Sequence, residues 1–388
     1  MRRVYLDHNA TTPTAPEVLE AMLPYFGDVF GNASSMSGYG REARSAIDRA
    51  REQVAALVNA DVPEITFTSG GTESDNLALK GVAYSQRKKG NHIITTQIEH
   101  HAVLHTCQFL EKHEGFRVTY LPVDRHGMVD PDDLRAAITD DTILVSIMHA
   151  NNEVGTIQPI AEIGAITRER SIPLHVDAVQ SVGKIPVDVK AMSIDLLSLS
   201  AHKIYGPKGV GALYVRRGTR MVPLMHGGHH ERNRRAGTEN VPGIVGLGKA
   251  AEIAQRDMAQ DFVHVRTLRD ALHDKIVERV ERVHLNGHPT ERLPGTLNLS
   301  FEAVEGESMI LSLDLEGVAI SSGSACTSGT LEPSHVLTAM GVPPELSQTA
   351  LRFSPGRGNT MEDIELVADL IPPSVERLRM MSALEPAS

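Results

Sequence analysis

The stretch TILVSIMHANNEVGTIQPIAEIGAITRERSIPLHVDA, residues 142–178, places a helical pattern at 160–170 between two short apolar strands. The same alternation precedes it, with strand patterns at EITFTSG, HIITT and RVTYLPV and helical patterns near 41–60, 73–89, 102–114 and 131–139. Strands that alternate with helices are typical of a mostly parallel sheet covered by helices. LLSLS and GVGALYV then follow each other without a helix between them, so one of these two strands can run antiparallel.

The remainder of the chain has a different pattern. Residues 242–280 form a long, charged helical stretch that can connect two domains. After it, strand patterns occur at GTLNLSF, VAISSGSAC and TALRFSP, with helical patterns near 306–316, 334–340 and 361–381. We therefore predict an α/β protein with a large domain at 15–255 and a smaller α+β domain formed by 1–14 and 256–388.

Composition excludes several classes of partner. The 388-residue chain has a net charge of −11, which argues against general binding to nucleic acid or an anionic membrane. It contains no apolar run of membrane-spanning length and no export signal. Its two cysteines, at 107 and 326, are far apart, which fits a reducing compartment. The predicted location is the cytoplasm.

Several polar residues follow directly after predicted strands. Ligands bind in open parallel sheets beyond the carboxyl ends of the strands, so these residues are candidates for one site. A pyridine cofactor with an aldehyde needs a carboxylate for its ring nitrogen, a flat side chain against its ring and a lysine amine. The candidates for these three needs are Asp177, His100 and Lys203. Taken singly, each also fits an ordinary role as a helix cap, a structural histidine or a surface lysine.

A turn rich in glycine follows EITFT. Gly71 and Thr72 lie directly before a predicted helix, whose free N–H groups and positive end suit an anion such as a phosphate. The segment lacks the GxGxxG of a dinucleotide site and the GKS or GKT of a P-loop, so neither of those ligands is favoured. An ordinary glycine turn with a threonine cap is the alternative.

The chain as a whole resembles the cysteine desulfurases of the NifS/IscS class, which are fold-type I pyridoxal-phosphate enzymes. The resemblance extends from residue 4 to residue 358 through the motifs VYLDHNATT, FTSGGTESDN, HANNEVG, HVDAVQSVGK, SLSAHKIYGPKGVGALY, RRAGTEN, SSGSACTSG and TALRFSPGRG. It implies a large domain with a mostly parallel seven-stranded sheet, a smaller α+β C-terminal domain, pyridoxal 5'-phosphate as cofactor and a homodimer.

The resemblance also implies a role for individual residues. Lys203 would bind the cofactor aldehyde, Asp177 would pair with the ring nitrogen, and His100 would stack on the ring. The other implied cofactor ligands are Gln180 at the ring hydroxyl and Gly71, Thr72, Ser200, His202 and the neighbouring subunit's Thr238 at the phosphate. Arg352, assisted by Asn152, would bind the substrate carboxylate. No metal ligand is expected.

Cys326 lies in the polar, glycine-rich run ISSGSACTSG. A free cysteine is commonly a buried core residue, but these neighbours suit a mobile loop that carries a thiol. The resemblance makes Cys326 the nucleophile that takes sulfur from L-cysteine, leaving alanine and an enzyme persulfide for an acceptor or iron–sulfur scaffold protein. His100 would assist proton transfer. Cys107, in an apolar helix, is interpreted as a packing residue.

Three departures from the family pattern are visible. Ala33 replaces a common proline, Ser37 stands near a missing histidine, and Pro355 replaces an aliphatic residue near Arg352. RAGTEN and the short end SALEPAS favour the nitrogen-fixation type over the housekeeping type. Alternative functions are a selenocysteine lyase or another class-V aminotransferase, which would not need Cys326. A metalloprotein is a further alternative suggested by eighteen histidines, although no HExxH motif supports it.

Overall fold

The computed structural model describes residues 2–322 and 333–381. Its main sheet has seven strands in the order β2-β8-β7-β6-β5-β3-β4. All run parallel except β8, which is antiparallel to both β2 and β7. The strands are β2 Ile65–Thr68, β3 His92–Thr96, β4 Arg117–Leu121, β5 Thr142–Ser146, β6 Leu174–Asp177, β7 Leu196–Ser200 and β8 Gly211–Val215.

Helices cover both faces of this sheet because its strands are apolar on both sides. One face packs on α2, α6 and the first half of α7, and the other packs on α3 and α4. The helices up to this point are α1 Pro16–Met22, α2 Gly38–Leu57, α3 Gly71–Gln86, α4 His101–Glu114, α5 Pro131–Ala137, α6 Ile160–Glu169 and α7 Val241–Arg279. None of the helices within the described ranges is both long enough and apolar enough to cross a membrane.

The C-terminal part has its own core. A four-stranded antiparallel sheet, in the order β12-β13-β10-β9, packs against α8, α11 and the second half of α7. Its strands are β9 Val283–Asn286, β10 Leu297–Phe301, β12 Ser321–Ser322 and β13 Ala350–Phe353. Beside it, β1 Val4–Tyr5 pairs in parallel with β11 Val318–Ala319. The remaining helices are α8 Gly306–Leu315, α9 His335–Ala339, α10 Pro344–Ser347 and α11 Met361–Met381.

The predicted fold class is therefore confirmed. Of the two segments LLSLS and GVGALYV, the structure shows that GVGALYV contains the antiparallel strand, β8. The strand pattern at VAISSGSAC is divided by Ile320 into β11 and β12, which belong to different sheets. The domain boundary at 255/256 stays a prediction, and α7 runs across it. Ser37, one of the departures from the family pattern, caps α2, because its hydroxyl accepts a hydrogen bond from the Gly40 N–H at 3.2 Å.

Candidate active site

A cavity of about 440 Å³ lies at the carboxyl edge of the large sheet. Residues that end or follow β2, β3, β5, β6 and β7 form its walls, together with Arg352 from β13. Ten of the twelve residues predicted for the site line it: Gly71, Thr72, His100, Asn152, Asp177, Gln180, Ser200, His202, Lys203 and Arg352. Thr238 is not among the lining residues, and Cys326 lies outside the described residues.

Lys203 follows β7 in a single 3-10 turn, Ala201–Lys203. Its Nζ donates hydrogen bonds to the backbone carbonyl oxygens of Asn9 at 2.5 Å and Ala10 at 2.8 Å. These carbonyls belong to the segment between β1 and α1, so the N-terminal segment orients the lysine. The amine is thus held at the wall of the cavity, where it can reach a bound carbonyl compound.

Asp177 is the last residue of β6 and is only 6% exposed. Its Oδ1 accepts a hydrogen bond from the Val179 N–H at 2.9 Å. Burial, followed by the nearby charge of Asp75, raises the pKa of Asp177 to about 7. A protonated ring nitrogen would be a positive partner for this buried carboxyl, in addition to the nearby charge of Lys203.

His100 begins α4 as its N-cap residue, a position that the sequence analysis did not assign to it. Its Nδ1 accepts a hydrogen bond from the Ala102 N–H at 3.1 Å. Burial, followed by the charge of Lys203, lowers the pKa of His100 to about 4. The ring is therefore neutral near pH 7, with its proton on Nε2, and offers a flat face to the cavity.

Asp75, on α3, is a fully buried site residue that the sequence analysis missed. Its Oδ1 lies 3.5 Å from His175 Nε2. Ligand atoms of Asp75, His100 and Asp177 all lie within 4.8 Å of one another, a spacing that by itself would suit a metal ion. However, the Ala102 N–H occupies Nδ1 of His100 and the ring proton occupies Nε2, so this histidine has no free lone pair for a metal.

The start of α3 lines the cavity and has the features of an anion site. Gly70 has φ +153°, a conformation confined essentially to glycine. A Cβ added to Gly71 would lie 2.7 Å from Val179 Cγ2, so glycine keeps the turn open. An adjoining cavity of about 350 Å³ is lined by Thr72, Ser200, His202 and Lys208. The free N–H groups of the first turn, the hydroxyls and this lysine together suit a phosphate. Lys208 is a further residue that the sequence analysis missed.

The loop that carries Thr238 is attached to this anion site. Arg235 Nε donates a hydrogen bond to Glu73 Oε1 at 2.9 Å, which ties the loop to the first turn of α3. Glu239, next to Thr238, pairs with Arg44 at 3.0 Å. Thr238 is therefore part of a braced loop beside α3 but not of the cavity wall within the chain.

Arg352 also lines the cavity, and its side chain is 2% exposed. Its Nη1 donates to the carbonyl oxygen of Asn152 at 2.9 Å, and its Nη2 donates to Asp7 Oδ1 at 2.8 Å. The guanidinium is thus fixed in orientation by the backbone of residue 152 and by an acid near the N-terminus. A guanidinium held in this way suits a carboxylate ligand.

Comparisons with known proteins agree with this geometry. Residues 4–367 match the family model for class-V aminotransferases. The chain belongs to the class-V aminotransferase family. Within it, the chain belongs with the cysteine desulfurases: "Cysteine desulfurase IscS" of Methanosarcina thermophila is 57% identical over 99% of this chain and 95% of the relative. The protein of the same name from Dictyoglomus turgidum is 56% identical over 98% of this chain and 96% of its own.

Solved structures give the same family. A "NIFS-LIKE PROTEIN" is 40% identical with a TM-score of 0.89, over 98% of this chain and 99% of its own. The structure titled "SspA in complex with cysteine" is 40% identical with a TM-score of 0.81, over 91% of this chain and 99% of its own. The predicted family and the fold-type I architecture are confirmed, and this class-V enzyme uses pyridoxal 5'-phosphate.

The described residues fit that cofactor. The cavity offers an amine at Lys203, a buried carboxyl of raised pKa at Asp177, the flat ring of His100 and an anion site at the start of α3. The Gly70–Gly71 turn leaves space that a side chain would fill. Each of these features matches one part of the cofactor: aldehyde, ring nitrogen, ring face and phosphate.

The buried pair Asp75 and Asp177 leads to a prediction about stability in the cofactor-free protein. Burial raises the pKa of Asp75 to about 7, against roughly 4 in an unfolded chain. Between these values the folded state holds a proton that the unfolded state has released, so stability falls as pH rises through this window. Asp75→Asn should therefore stabilise the cofactor-free protein at pH 8 by up to about 4 kcal/mol and change it little at pH 4.

Urea unfolding of the cofactor-free wild type and Asp75→Asn at both pH values measures this difference. Glu111→Gln, on the exposed side of α4, is the control for loss of one acidic charge. Equal free energies of unfolding for wild type and Asp75→Asn at pH 8 would show that the ionised Asp75 carboxylate does not destabilise the folded protein.

Proposed function

We propose that this protein removes sulfur from L-cysteine, giving L-alanine and a persulfide on Cys326. The observation that carries the proposal is the presence of Lys203 and Arg352 on the walls of one cavity. An amino acid held by its carboxylate at Arg352 would direct its amino group toward the cofactor site at Lys203. The high identity to named cysteine desulfurases supports cysteine as that amino acid.

The cofactor, when bound, supplies a carbonyl that condenses with amines and a ring that withdraws electron density. Lys203 would bind that carbonyl, and its amine would also move the α-proton of the substrate. Asp177 would pair with the protonated ring nitrogen, and Gln180 would donate a hydrogen bond to the ring oxygen. The first turn of α3, at Gly71 and Thr72, would hold the phosphate.

The remaining proposed contacts are to the cofactor phosphate and to the substrate carboxylate. Ser200 and His202 complete the phosphate site, and Thr238 is contributed by the partner subunit. Asn152 assists Arg352 at the substrate carboxylate.

The sulfur transfer uses Cys326. Its thiolate attacks the substrate sulfur, a new S–S bond forms, and the substrate C–S bond breaks with its electron pair remaining on the carbon side. Protons then return to that carbon and to the α-carbon, giving alanine. The balance is cysteine plus enzyme thiol to alanine plus enzyme persulfide, with no external oxidant. His100 stacks on the ring and assists the proton transfer at sulfur.

Alanine and sulfide formed from L-cysteine in the presence of a thiol reductant test this proposal. Equal amounts of both products are expected. Release of selenium from L-selenocysteine with little turnover of L-cysteine would indicate the selenocysteine lyase alternative. Transfer of the amino group to an oxo acid, without sulfide, would indicate an aminotransferase instead.

Arg352→Lys should raise KM for L-cysteine. Lysine keeps the charge but cannot form the paired hydrogen bonds of a guanidinium, and a charge-assisted hydrogen bond contributes about 1.5–3 kcal/mol. The expected increase is roughly 10- to 100-fold in KM, with the visible spectrum of the bound cofactor unchanged. Steady-state alanine formation measures it, with the exposed Arg87→Lys as control. An unchanged KM would exclude Arg352 as the carboxylate ligand.

We further propose that the protein is a homodimer. Four apolar side chains at 26–39 are highly exposed: Phe26 by 66%, Phe30 by 71%, Met36 by 92% and Tyr39 by 60%. Exposed apolar residues clustered in one segment are typical of a protein–protein interface. A second copy at this surface would bury them, and the same assembly would let Thr238 contribute to the partner's phosphate site.

The persulfide sulfur is proposed to pass to an acceptor thiol, including a scaffold protein for iron–sulfur cluster assembly. The motif RAGTEN at 235–240 supports the nitrogen-fixation type. Two cysteines, distant in sequence, support a cytoplasmic location.

A further inference from the structure

Lys184 ends the HVDAVQSVGK motif, and the proposed mechanism gives it no role. Its Nζ donates to Gln180 Oε1 at 2.9 Å and to Asn9 Oδ1 at 3.4 Å. It lines a second, small cavity of about 60 Å³ and not the main cavity, which places it one layer behind Gln180. Lys203 lines both cavities.

Two contacts fix which way the Gln180 amide faces. Lys184 Nζ donates a hydrogen bond to Oε1 of the amide. The other end of the amide lies 2.9 Å from the carbonyl oxygen of Asn9, which can only accept, so the atom facing it is Nε2. Nε2 has a second N–H, and Gln180 lines the main cavity. The amide therefore presents a donor, which suits an anionic or carbonyl oxygen of the cofactor ring.

Lys184 also brings charge to the site. Its amine and that of Lys203 bind the same residue, Asn9, through the side chain and the main chain respectively. Burial, followed by the charges of Lys203 and Arg352, lowers the pKa of Lys184 to about 7. The other ionisable groups around it are Lys203, Asp261, Arg352 and Arg357, together with His8 and His202. Burial lowers the pKa of both histidines to about 4, so they are neutral near pH 7.

We propose that Lys184 is a positioning residue of the active site, which holds the Gln180 amide with an N–H toward the cofactor and, in its protonated form, adds a second cation beside Lys203. This inference rests on the proposed roles of Gln180 and Lys203. Both effects should lower the pKa of the cofactor–lysine linkage. A donor at the ring oxygen and a cation near the cofactor–lysine linkage each make a proton on that linkage less stable.

The test is a pH titration of the visible absorption of the cofactor-loaded protein without substrate. Lys184→Met removes the cation and the donor, so the midpoint of the titration should rise by about one pH unit or more. Lys184→Arg keeps the cation and the hydrogen-bond donor, so its titration midpoint should stay much closer to the wild-type value. Lys190→Met is the matched control, since Lys190 is 53% exposed and pairs with Asp61 on the surface. A folded Lys184→Met protein with the wild-type midpoint would overturn the proposal.

Two further experiments distinguish a failure of this proposal from a failure of the proposed function or of folding. Borohydride reduction of the wild-type protein followed by peptide mapping identifies the lysine bound to the cofactor. A label on a lysine other than Lys203 would contradict the proposed function, whereas a label on Lys203 with an unchanged midpoint in Lys184→Met would contradict only the role of Lys184. If Lys184→Met does not fold, Lys184→Gln, which is neutral but keeps an amide donor, is titrated instead. A rise in its midpoint supports the charge effect, and no rise overturns it.

Discussion

Lys203→Ala is expected to abolish the covalent linkage to the cofactor and to reduce alanine formation from L-cysteine by about 10⁴-fold or more. The physical reason is that one amine has two tasks, holding the cofactor carbonyl and moving the α-proton. Alanine lacks both functions and also leaves the Asn9 and Ala10 carbonyls without this donor. The visible spectrum reports the first loss, and chromatographic measurement of alanine reports the second.

Lys190→Ala is the control, because Lys190 lies on the surface, away from the cavity. It should keep the wild-type spectrum and rate. Turnover at the wild-type rate in Lys203→Ala would show that another amine holds the cofactor, and the assignment of this cavity as the active site would then fail.

Cys326→Ser is expected to separate cofactor chemistry from sulfur transfer. The variant should keep the spectrum of the bound cofactor and its change on addition of L-cysteine, since both depend on the cavity of the large sheet. Catalysed sulfide release should fall to background, because a serine hydroxyl is a far weaker nucleophile than a thiolate near neutral pH. Spectroscopy and a sulfide assay on the same sample measure the two effects.

The matched control uses the other cysteine. Cys107 is fully buried in α4, where burial raises the pKa of its thiol well above the usual value. Cys107→Ala should therefore retain sulfide release, with at most a modest loss of stability from the cavity it leaves. If Cys326→Ser released sulfide like the wild type while Cys107→Ala did not, the roles of the two cysteines would be reversed.

Most of the large domain could be predicted from the sequence because its strands and helices alternate with clear periods. The missing helix between LLSLS and GVGALYV predicted that one of these two strands can run antiparallel, although not that it is β8. The prediction missed β9 Val283–Asn286 and α1 Pro16–Met22. Both are short: β9 has 4 residues, which alternate apolar and polar, and α1 has 7, so neither gives a pattern long enough to identify the element.

The site was predictable where residues follow strands, because the carboxyl ends of parallel strands converge on one edge. Asp75 and Lys184 were missed because neither residue directly follows a strand. Asp75 lies within α3, where a lone acid suggests a solvent-facing helix position. Lys184 follows a glycine in a turn, where a lysine suggests the surface. Nothing in the sequence indicates that each side chain turns inward, since that depends on the packing of distant elements.

The pairing of Arg352 with Asp7 was not predictable either. The two residues are 345 positions apart, and the N-terminal segment reaches the small sheet region through the pairing of β1 with β11 and through the bridge between Asp7 and Ser354. The motifs VYLDHNATT and TALRFSPGRG therefore form one structural unit in space. This contact explains why an acid near the N-terminus lies beside the proposed substrate carboxylate site.

One measurement tests the central claim most directly: peptide mass spectrometry of the wild-type protein after a single turnover with L-cysteine, with alanine measured in the same sample. We predict one added sulfur atom on the peptide that contains Cys326, none on the peptide that contains Cys107, and one alanine for each modified chain. Alanine formed without a sulfur on Cys326, or sulfur on Cys326 without alanine, would contradict the proposed mechanism.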